Sequence, residues 1–195
     1  SQNQGGAHRS SQADFSGVRF LEWLQNSNLF IIPLDDQREW FRYHHLFQEF
    51  LQQELARRFE PDEIVKLHIT AGGWFAQNGW IEEALDHFLA AGDTTGAIEL
   101  IAQHRYKLMN EASWSILDNW LNLFSDPVIE HSPELWMLKT WLTYHSGRWN
   151  ELAALLERLE TILVKESNQE MAVRLTGEIQ TMRSLILFHA GKIEG

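Results

Sequence analysis

From residue 44 onward, apolar side chains recur at spacings of three and four residues, which is the period of an amphipathic α-helix. Leu46, Phe47, Phe50, Leu51 and Leu55 form the first of these stripes. Similar stripes follow up to residue 186, and short polar or glycine-containing links separate them. Because short links favour antiparallel neighbours, consecutive helices are expected to pack as hairpins. The sequence therefore predicts a mainly α fold.

A turn motif that occurs three times is the second regularity. Residues 79–84 (Gly-Trp-Ile-Glu-Glu-Ala), 147–152 (Gly-Arg-Trp-Asn-Glu-Leu) and 191–194 (Gly-Lys-Ile-Glu) each follow a helix that carries aromatic residues. Each motif predicts a tight turn that needs glycine, followed by a second helix. The repetition favours a TPR-like helical-hairpin superhelix over residues 61–195, with an ordinary helical bundle as the alternative. The third copy stops at its turn, so we expect this domain to be truncated there.

Strand character is confined to one segment. Residues 29–34 form a short apolar run with β-branched side chains, and residues 39–43 contain three aromatic residues. Residues 35–37 (Asp-Asp-Gln) are typical of a turn. Two such runs around a turn predict a β-hairpin near residues 29–43. Upstream, residues 1–17 are rich in Ser, Gln and Gly without periodicity, and we interpret them as a disordered tag or linker.

Charge and composition narrow the possible partners. The sequence has 27 acidic and 16 basic residues, which give a formal charge of −11, and it has no cysteine. A chain this acidic is a poor ligand for nucleic acid or an anionic membrane, because phosphate neutralisation needs clustered cations. Disulfides and thiolate sites are excluded, and no apolar run reaches the roughly 18–20 residues of a membrane-spanning helix. We therefore expect a cytoplasmic protein without direct contact to nucleic acid or membrane.

A family resemblance rests on the hairpin region. Residues 29–36 read Leu-Phe-Ile-Ile-Pro-Leu-Asp-Asp, and residues 40–47 read Trp-Phe-Arg-Tyr-His-His-Leu-Phe. These segments resemble a motif of the large ATP-binding, LuxR-type transcription regulators of the MalT-like family, which are signal-transduction ATPases. The resemblance extends over about residues 20–101, and generic helical-repeat character continues beyond them.

The resemblance implies a place in a larger protein that combines a nucleotide-binding domain, a winged helix, a superhelical sensor and a helix-turn-helix. Residues 18–60 would be the end of the winged-helix module, and residues 61–195 would start the sensor domain. The sequence contains neither a G-x-x-x-x-G-K-[ST] phosphate loop nor a basic helix at its end. ATP or ADP binding, ATP hydrolysis and DNA binding would therefore belong to the parent protein, which could also self-associate.

The resemblance also implies nucleotide-sensing residues. Tyr43-His44-His45 is similar to a hydrophobe-His-Asp motif that contacts the nucleotide diphosphate in related switch proteins, with His45 in place of the Asp. We therefore predict Arg42, His44 and His45 as nucleotide-sensing residues in the parent. A histidine beside a helix N-terminus could contact phosphate, because the dipole and the side chain favour the same anion. The alternative is that both histidines pack or hydrogen-bond locally.

Four aromatic residues in the helical region are candidates for ligand or partner binding: Trp136, Trp141, Tyr144 and Trp149. Trp141 and Tyr144 share a helix face because they are three positions apart. On the concave side of a superhelix, such side chains could stack on a sugar or receive a segment of a partner protein. The alternative is core packing, the usual role of tryptophan in helical repeats.

No motif predicts catalysis or a metal site. The histidines show no His-Glu-x-x-His spacing, and no Ser-His-Asp grouping is recognisable. The paired carboxylates at 35–36 and 82–83 fit a turn and a helix start better than acid–base chemistry. We therefore predict a regulatory module, not an enzyme, that responds to a small-molecule inducer or a partner protein. The alternative is a TPR-like scaffold for protein–protein interaction without a small ligand.

Overall fold

The computed structural model describes Arg19, Trp23, residues 31–33 and residues 41–193. The predicted linker at 1–17 and the hairpin turn at 35–37 lie outside these residues. Arg19 and Trp23 are helical. The chain divides into two compact units, Ser1–Ile64 and Val65–Gly195, and each is described by itself. The domain boundary predicted at residues 60–61 stays a prediction.

The first unit contains the predicted β-hairpin. Strand β1 (Ile31–Pro33) pairs antiparallel with strand β2 (Phe41–Tyr43), with Ile31 opposite Tyr43. β-Branched and aromatic side chains favour this pleated pairing. Helix α1 (His45–Arg58) follows one residue after β2. The prediction of a small hairpin in a mainly α chain is confirmed.

The remaining helices follow in chain order with short links. They are α2 (Pro61–Gln77), α3 (Ile81–Ala90), α4 (Thr94–Asn110), α5 (Trp114–Leu121), α6 (Asp126–His131), α7 (Pro133–His145), α8 (Trp149–Leu163) and α9 (Gln169–Ile193). The short α6 was not predicted, although Pro127 at its start is a typical signal for a helical first turn.

Helix α7 forms the centre of the second unit. Eight of its residues are buried, including Leu135, Met137 and Leu138, because other helices cover it on several sides. Helix α8 packs against it. The indole of Trp136, near the start of α7, donates to the Leu155 carbonyl in the middle of α8, at 2.9 Å.

Two of the three predicted turns are present. Gly79 and Gly147 have φ of 82° and 73°, in the left-handed region that glycine adopts without steric cost, and each lies between two helices. The prediction at Gly191 is wrong, because this residue lies inside α9. A glycine forms such a turn only where the following helix packs back on the preceding one. No helix after α9 is among the described residues. Helices tolerate an interior glycine at a cost of about 1 kcal/mol.

Candidate functional site

A buried arginine is the most unusual residue of the second unit. Arg105 on α4 has no exposed surface. Its Nη1 donates to Glu178 Oε2 at 2.8 Å, and its Nη2 donates to Glu178 Oε1 at 2.5 Å. This bidentate pairing joins α4 to α9. Such pairs combine charge with a fixed geometry, and arginine suits them because its guanidinium is planar.

Glu178 receives two further donors. Tyr106 donates its hydroxyl proton to Oε1 at 2.5 Å, and the Trp141 indole donates to Oε2 at 2.8 Å. Burial would raise the pKa of the Glu178 carboxyl, but the hydrogen bonds and charge of Arg105 outweigh it and hold that pKa below its usual value. Burial, together with the bond to Glu178, raises the pKa of Tyr106 above its usual value. Glu178 is therefore ionised at neutral pH.

A second acidic residue extends this arrangement. Glu134, in the first turn of α7, accepts a hydrogen bond from Arg174 of α9 through Oε1. Its Oε2 lies 3.7 Å from Arg105 Nη2. Two arginines and two glutamates therefore balance in charge where α4, α7 and α9 meet. We call the following residues the buried charge network: Arg105, Tyr106, Glu134, Trp141, Arg174 and Glu178.

Three of the four predicted aromatic residues form one cluster. Tyr144 packs edge-on against Trp141, with ring centroids 6.0 Å apart, and against Trp149 at 4.8 Å. His189 of α9 completes the cluster, because its Nε2 lies 3.2 Å from the Tyr144 hydroxyl and its ring 4.6 Å from that of Trp149. Trp141 belongs to both the cluster and the buried charge network. Trp149, at 39% exposure, is accessible to a ligand.

Trp136 lies apart from that cluster. Only 8% of its surface is exposed. Its ring packs in the core, its indole proton is used by the Leu155 carbonyl, and Lys139 lies over its ring at 5.1 Å. These contacts correspond to the core-packing alternative for this residue, and its predicted role in binding stays a prediction.

The predicted nucleotide-sensing residues lie together at the junction of hairpin and helix. Arg42 is the central residue of β2 and is exposed. His44 is the N-cap residue of α1, and His45 is the first helical residue. The two imidazole rings lie 4.4 Å apart, and the His44 carbonyl accepts the backbone hydrogen bonds of the first turn. The first turn of α1 contains no acidic side chain, so nothing there offsets its partial positive charge.

The buried charge network was not predicted from the sequence, although the helical period contained its signal. Arg105 continues the buried positions Ala97 and Ile101 at spacings of four, which places a charge on an apolar face. Glu178 lies three residues after the buried Leu175 and four before the buried Met182, so it too falls on an apolar face. A charged residue within an apolar stripe predicts a buried partner, but the helical period does not say which residue supplies it.

Neither a metal-binding group nor a membrane-spanning helix is found among the described residues. Within residues 31–33 and 41–193, no group of three or more histidines and acidic residues is arranged to hold a metal ion. Among the helices of the described part of the chain, none is both long enough and apolar enough to cross a bilayer.

Comparison with known proteins shows similarity to the MalT transcriptional regulators. The MalT winged helix domain matches residues 11–63, a stretch that begins within the predicted linker. The HTH-type transcriptional regulator MalT of Yersinia pestis (strain Pestoides F) is 32% identical over 177 residues, which is 91% of this chain and 19% of that regulator. MalT of Yersinia enterocolitica serotype O:8 / biotype 1B is 33% identical over 92% of this chain and 20% of its own length.

These similarities concern one portion of a long protein. The chain spans about a fifth of the length of the curated relatives it matches. No solved structure matches it. The stretch that matches the MalT winged helix domain, residues 11–63, includes both strands of the β-hairpin and α1. The alignment to MalT covers 177 of the 195 residues, so it includes most of the second unit as well. The chain is therefore MalT-like, with a winged-helix hairpin followed by helical hairpins that correspond to part of an HTH-type transcriptional regulator.

Proposed function

We propose that this chain is a non-catalytic regulatory part of a signal-responsive transcription activator. Its helical region would bind an inducer or a partner protein, and its winged-helix region would transmit that event to the nucleotide state of an ATPase domain elsewhere in the protein. The alignment of 91% of the chain to MalT regulators supports this role. Ligand binding shifts such a switch only through different affinities for its two states.

The nucleotide-sensing role falls on Arg42, His44 and His45. The start of α1 offers backbone N–H groups and a dipole that favour a phosphate. The exposed Arg42 and His45 add side chains that could contact the same anion. ATP or ADP would be bound by the parent protein, with these residues in contact with the diphosphate.

The inducer-binding role falls on Trp141, Tyr144 and Trp149. Aromatic faces suit the apolar side of a sugar ring, and neighbouring polar groups such as the Tyr144 hydroxyl would fix its orientation. Trp141 also donates to Glu178, so a ligand on this cluster would act on a residue that holds α9 against α4. This contact provides a path from the inducer to the position of a helix.

A scaffold for protein–protein interaction is the second candidate function. Three large apolar side chains of α9 are exposed, Val173, Leu187 and Phe188, at 71%, 72% and 57%. Contiguous exposed apolar surface is typical of contacts with other protein surfaces, and Leu187 and Phe188 are neighbours on α9. On this reading, the helical repeats recognise a protein and no small ligand binds.

A thermal-shift screen of sugars and metabolites on this chain tests the inducer. A ligand that binds only the folded state raises the melting temperature in a concentration-dependent manner. We expect Trp149→Ala to abolish that rise. Trp74→Ala, which removes an exposed tryptophan of α2 outside the cluster, should preserve it. Equal responses of the two variants to every stabilising ligand would contradict binding at this cluster, and silence of the whole screen would favour the scaffold.

A second experiment tests the nucleotide contact in the full-length regulator. We expect His45→Ala to weaken ADP or ATP binding by about tenfold, because about 1.4 kcal/mol corresponds to one charge-assisted hydrogen bond. His131→Ala, which replaces an exposed histidine of the second unit, is the matched control. Unchanged nucleotide affinity in both variants would contradict the proposed role of His45.

A further inference from the structure

Two histidines on neighbouring helices face each other with the same ring nitrogen. His68 on α2 and His87 on α3 are both half-buried, and their Nδ1 atoms lie 2.9 Å apart. Their ring centroids are 5.1 Å apart. Neither histidine belongs to the aromatic cluster, to the buried charge network or to the predicted nucleotide-sensing residues. The pair is therefore a separate titratable group.

The histidine pair lies where α2 and α3 approach closely. Gly72 of α2 is buried, and a Cβ there would come within 3.1 Å of the Phe88 ring and 3.3 Å of the Ala84 carbonyl oxygen, both on α3. Three residues further along α2, the Phe75 ring stacks on that of His87 at 5.3 Å. Because Phe75 covers the His87 ring, that ring has little freedom to turn away. Repulsion within the pair would therefore act on the contact between the helices.

The hydrogen bond between the two Nδ1 atoms needs one proton between them. An imidazole nitrogen accepts a hydrogen bond only when it carries no proton, so one ring donates and the other accepts. One added proton leaves the bond in place, because a protonated ring still donates to a neutral one. A second proton puts an N–H on both facing nitrogens, so the bond is lost and two positive charges meet. The pair therefore tolerates one positive charge but not two.

The surroundings of His87 set the direction of the pH dependence. Burial and the charge of His68 lower the pKa of the His87 imidazole below its usual value of 6.5, and the charge of Asp86, its neighbour on α3, acts in the opposite direction. Helix α4 also packs against α3, but no charged residue of this fully described helix contributes to the shift. Since the folded-state pKa is lowered, the released form binds more protons. The contact is therefore complete above about pH 6.5 and is lost as the pH falls through the folded pKa.

We propose that His68 and His87 form a pH-sensitive contact that holds α2 on α3 at neutral pH and releases it on acidification. Helix α2 begins at Pro61 in the first unit and continues from Val65 in the second, so the chain passes between the units through this helix. Both histidines belong to the second unit. A second proton on the pair would loosen the part of α2 that follows Val65.

Hydrogen exchange of the whole chain at pH 7.5, 6.5 and 5.5, corrected for the intrinsic exchange rate, tests the proposal. One proton taken up on release changes the opening equilibrium by at most about tenfold per pH unit. We therefore expect the protection factors of residues 66–77 to fall about threefold to tenfold between pH 6.5 and pH 5.5. Residues 152–160 of α8 contain no histidine and serve as the internal reference, with a change of less than about twofold. Protection in α2 that does not change with pH would overturn the proposal.

His68→Asn is the diagnostic variant. An asparagine amide presents either an oxygen or an N–H close to the position of Nδ1, so it can bond to His87 in both protonation states. The variant should retain wild-type protection at pH 7.5 and lose most of the pH dependence in α2. His131→Asn makes the same change at an exposed histidine of α6 and should retain the full dependence. Equal pH dependence of α2 in the two variants would contradict the role of the pair.

An NMR titration of the imidazole rings gives a second readout that does not depend on the stability of α2. In the wild-type chain, the His87 ring should titrate with a midpoint below 6.5. In His68→Asn this midpoint should move upward, because a neighbouring positive charge is removed and the amide oxygen accepts from the protonated ring. The same His87 midpoint in both proteins would overturn the proposal.

Discussion

The pairing of α7 with α8 and the docking of α9 rest on different interactions. Helix α8 meets α7 through an apolar face in which Leu152, Leu156 and Leu159 are buried. Helix α9 buries Leu175, Ile179 and Met182, but Leu187 and Phe188 on the same helix are more than half exposed. The buried charge network additionally joins α9 to both α4 and α7.

The two kinds of interaction contribute differently to the stability of the helix packing and to the position of α9. Apolar contacts are non-directional and proportional to area, so they stabilise a helix pair without fixing its register strongly. A bidentate ion pair has one good geometry, and one turn of displacement along α9 would remove Glu178 from Arg105. Buried ion pairs add little net stability but cost much when half of one is lost. The network therefore fixes where α9 lies, and the leucines hold α7 and α8 together.

The largest expected effect follows from removing one half of the buried ion pair. Glu178→Gln removes the bidentate counter-charge of the buried Arg105 and leaves near it only Glu134, which is shared with Arg174. It should lower the free energy of unfolding by about 3–5 kcal/mol. Urea denaturation monitored by circular dichroism measures the loss. Glu157→Gln, at an exposed position of α8, should change it by less than about 0.5 kcal/mol. Equal values for the two variants would show that the network does not hold α9.

Truncation of a buried leucine in α7 tests the apolar packing of α7 and α8 in the same way. Leu138→Ala removes a fully buried side chain of α7 and should cost about 2–5 kcal/mol through lost burial and the cavity left behind. Urea denaturation gives its magnitude, and hydrogen exchange distinguishes the two mechanisms. In this variant protection should fall across α7 and α8, whereas in Glu178→Gln it should fall first in α9. The same exchange pattern in both variants would remove the distinction between the regions.

Substitution of two glycines by alanine should have smaller effects on stability, and these effects should differ in sign between the two regions. Gly147 precedes α8 with φ of 73°, so Gly147→Ala should destabilise the α7–α8 hairpin by about 1–2 kcal/mol. Gly177 lies exposed within α9, and a Cβ there would meet nothing within 4 Å. Gly177→Ala should therefore stabilise α9 by about 1 kcal/mol through helix propensity. Thermal denaturation measures both, and changes of the same sign would contradict these assignments.

Acidification should have the smallest effect and should be specific to α9. The folded-state pKa of Glu178 lies below its usual value of 4.5. Its contribution to stability is therefore complete above about pH 4.5 and is lost as the pH falls through the folded pKa, because the unfolded chain then binds more protons. Urea denaturation between pH 7 and pH 4 should show this loss beginning, and the contribution should be absent in Glu178→Gln. An equal decline in both proteins would assign it to other carboxylates.

Much of the fold could be predicted from local patterns. The spacing of apolar residues indicated the helices, and β-branched and aromatic runs indicated the hairpin. The pattern failed at Gly191, because the same glycine motif forms a turn only when a second helix packs back. It also missed α6, whose six residues are too few to show a period.

The candidate sites were less predictable. Trp141, Tyr144 and Trp149 lie together largely because helix geometry and one tight turn bring them together, and both are local properties. Trp136 was grouped with them by residue type, but its ring points to different partners. The buried charge network combines residues from α4, α7 and α9, which are separated by tens of positions along the chain. No period in the sequence relates them.

The sequence by itself determined the helical period, the two glycine turns, the hairpin and the excess of acidic charge, because each depends on neighbouring residues or on composition. Only the tertiary structure decided that Arg105 meets Glu178, 73 positions away, and that Glu134 meets Arg174, 40 positions away. The physical reason is that a buried charge needs a partner but does not specify which one. That choice is made by the packing of α4, α7 and α9.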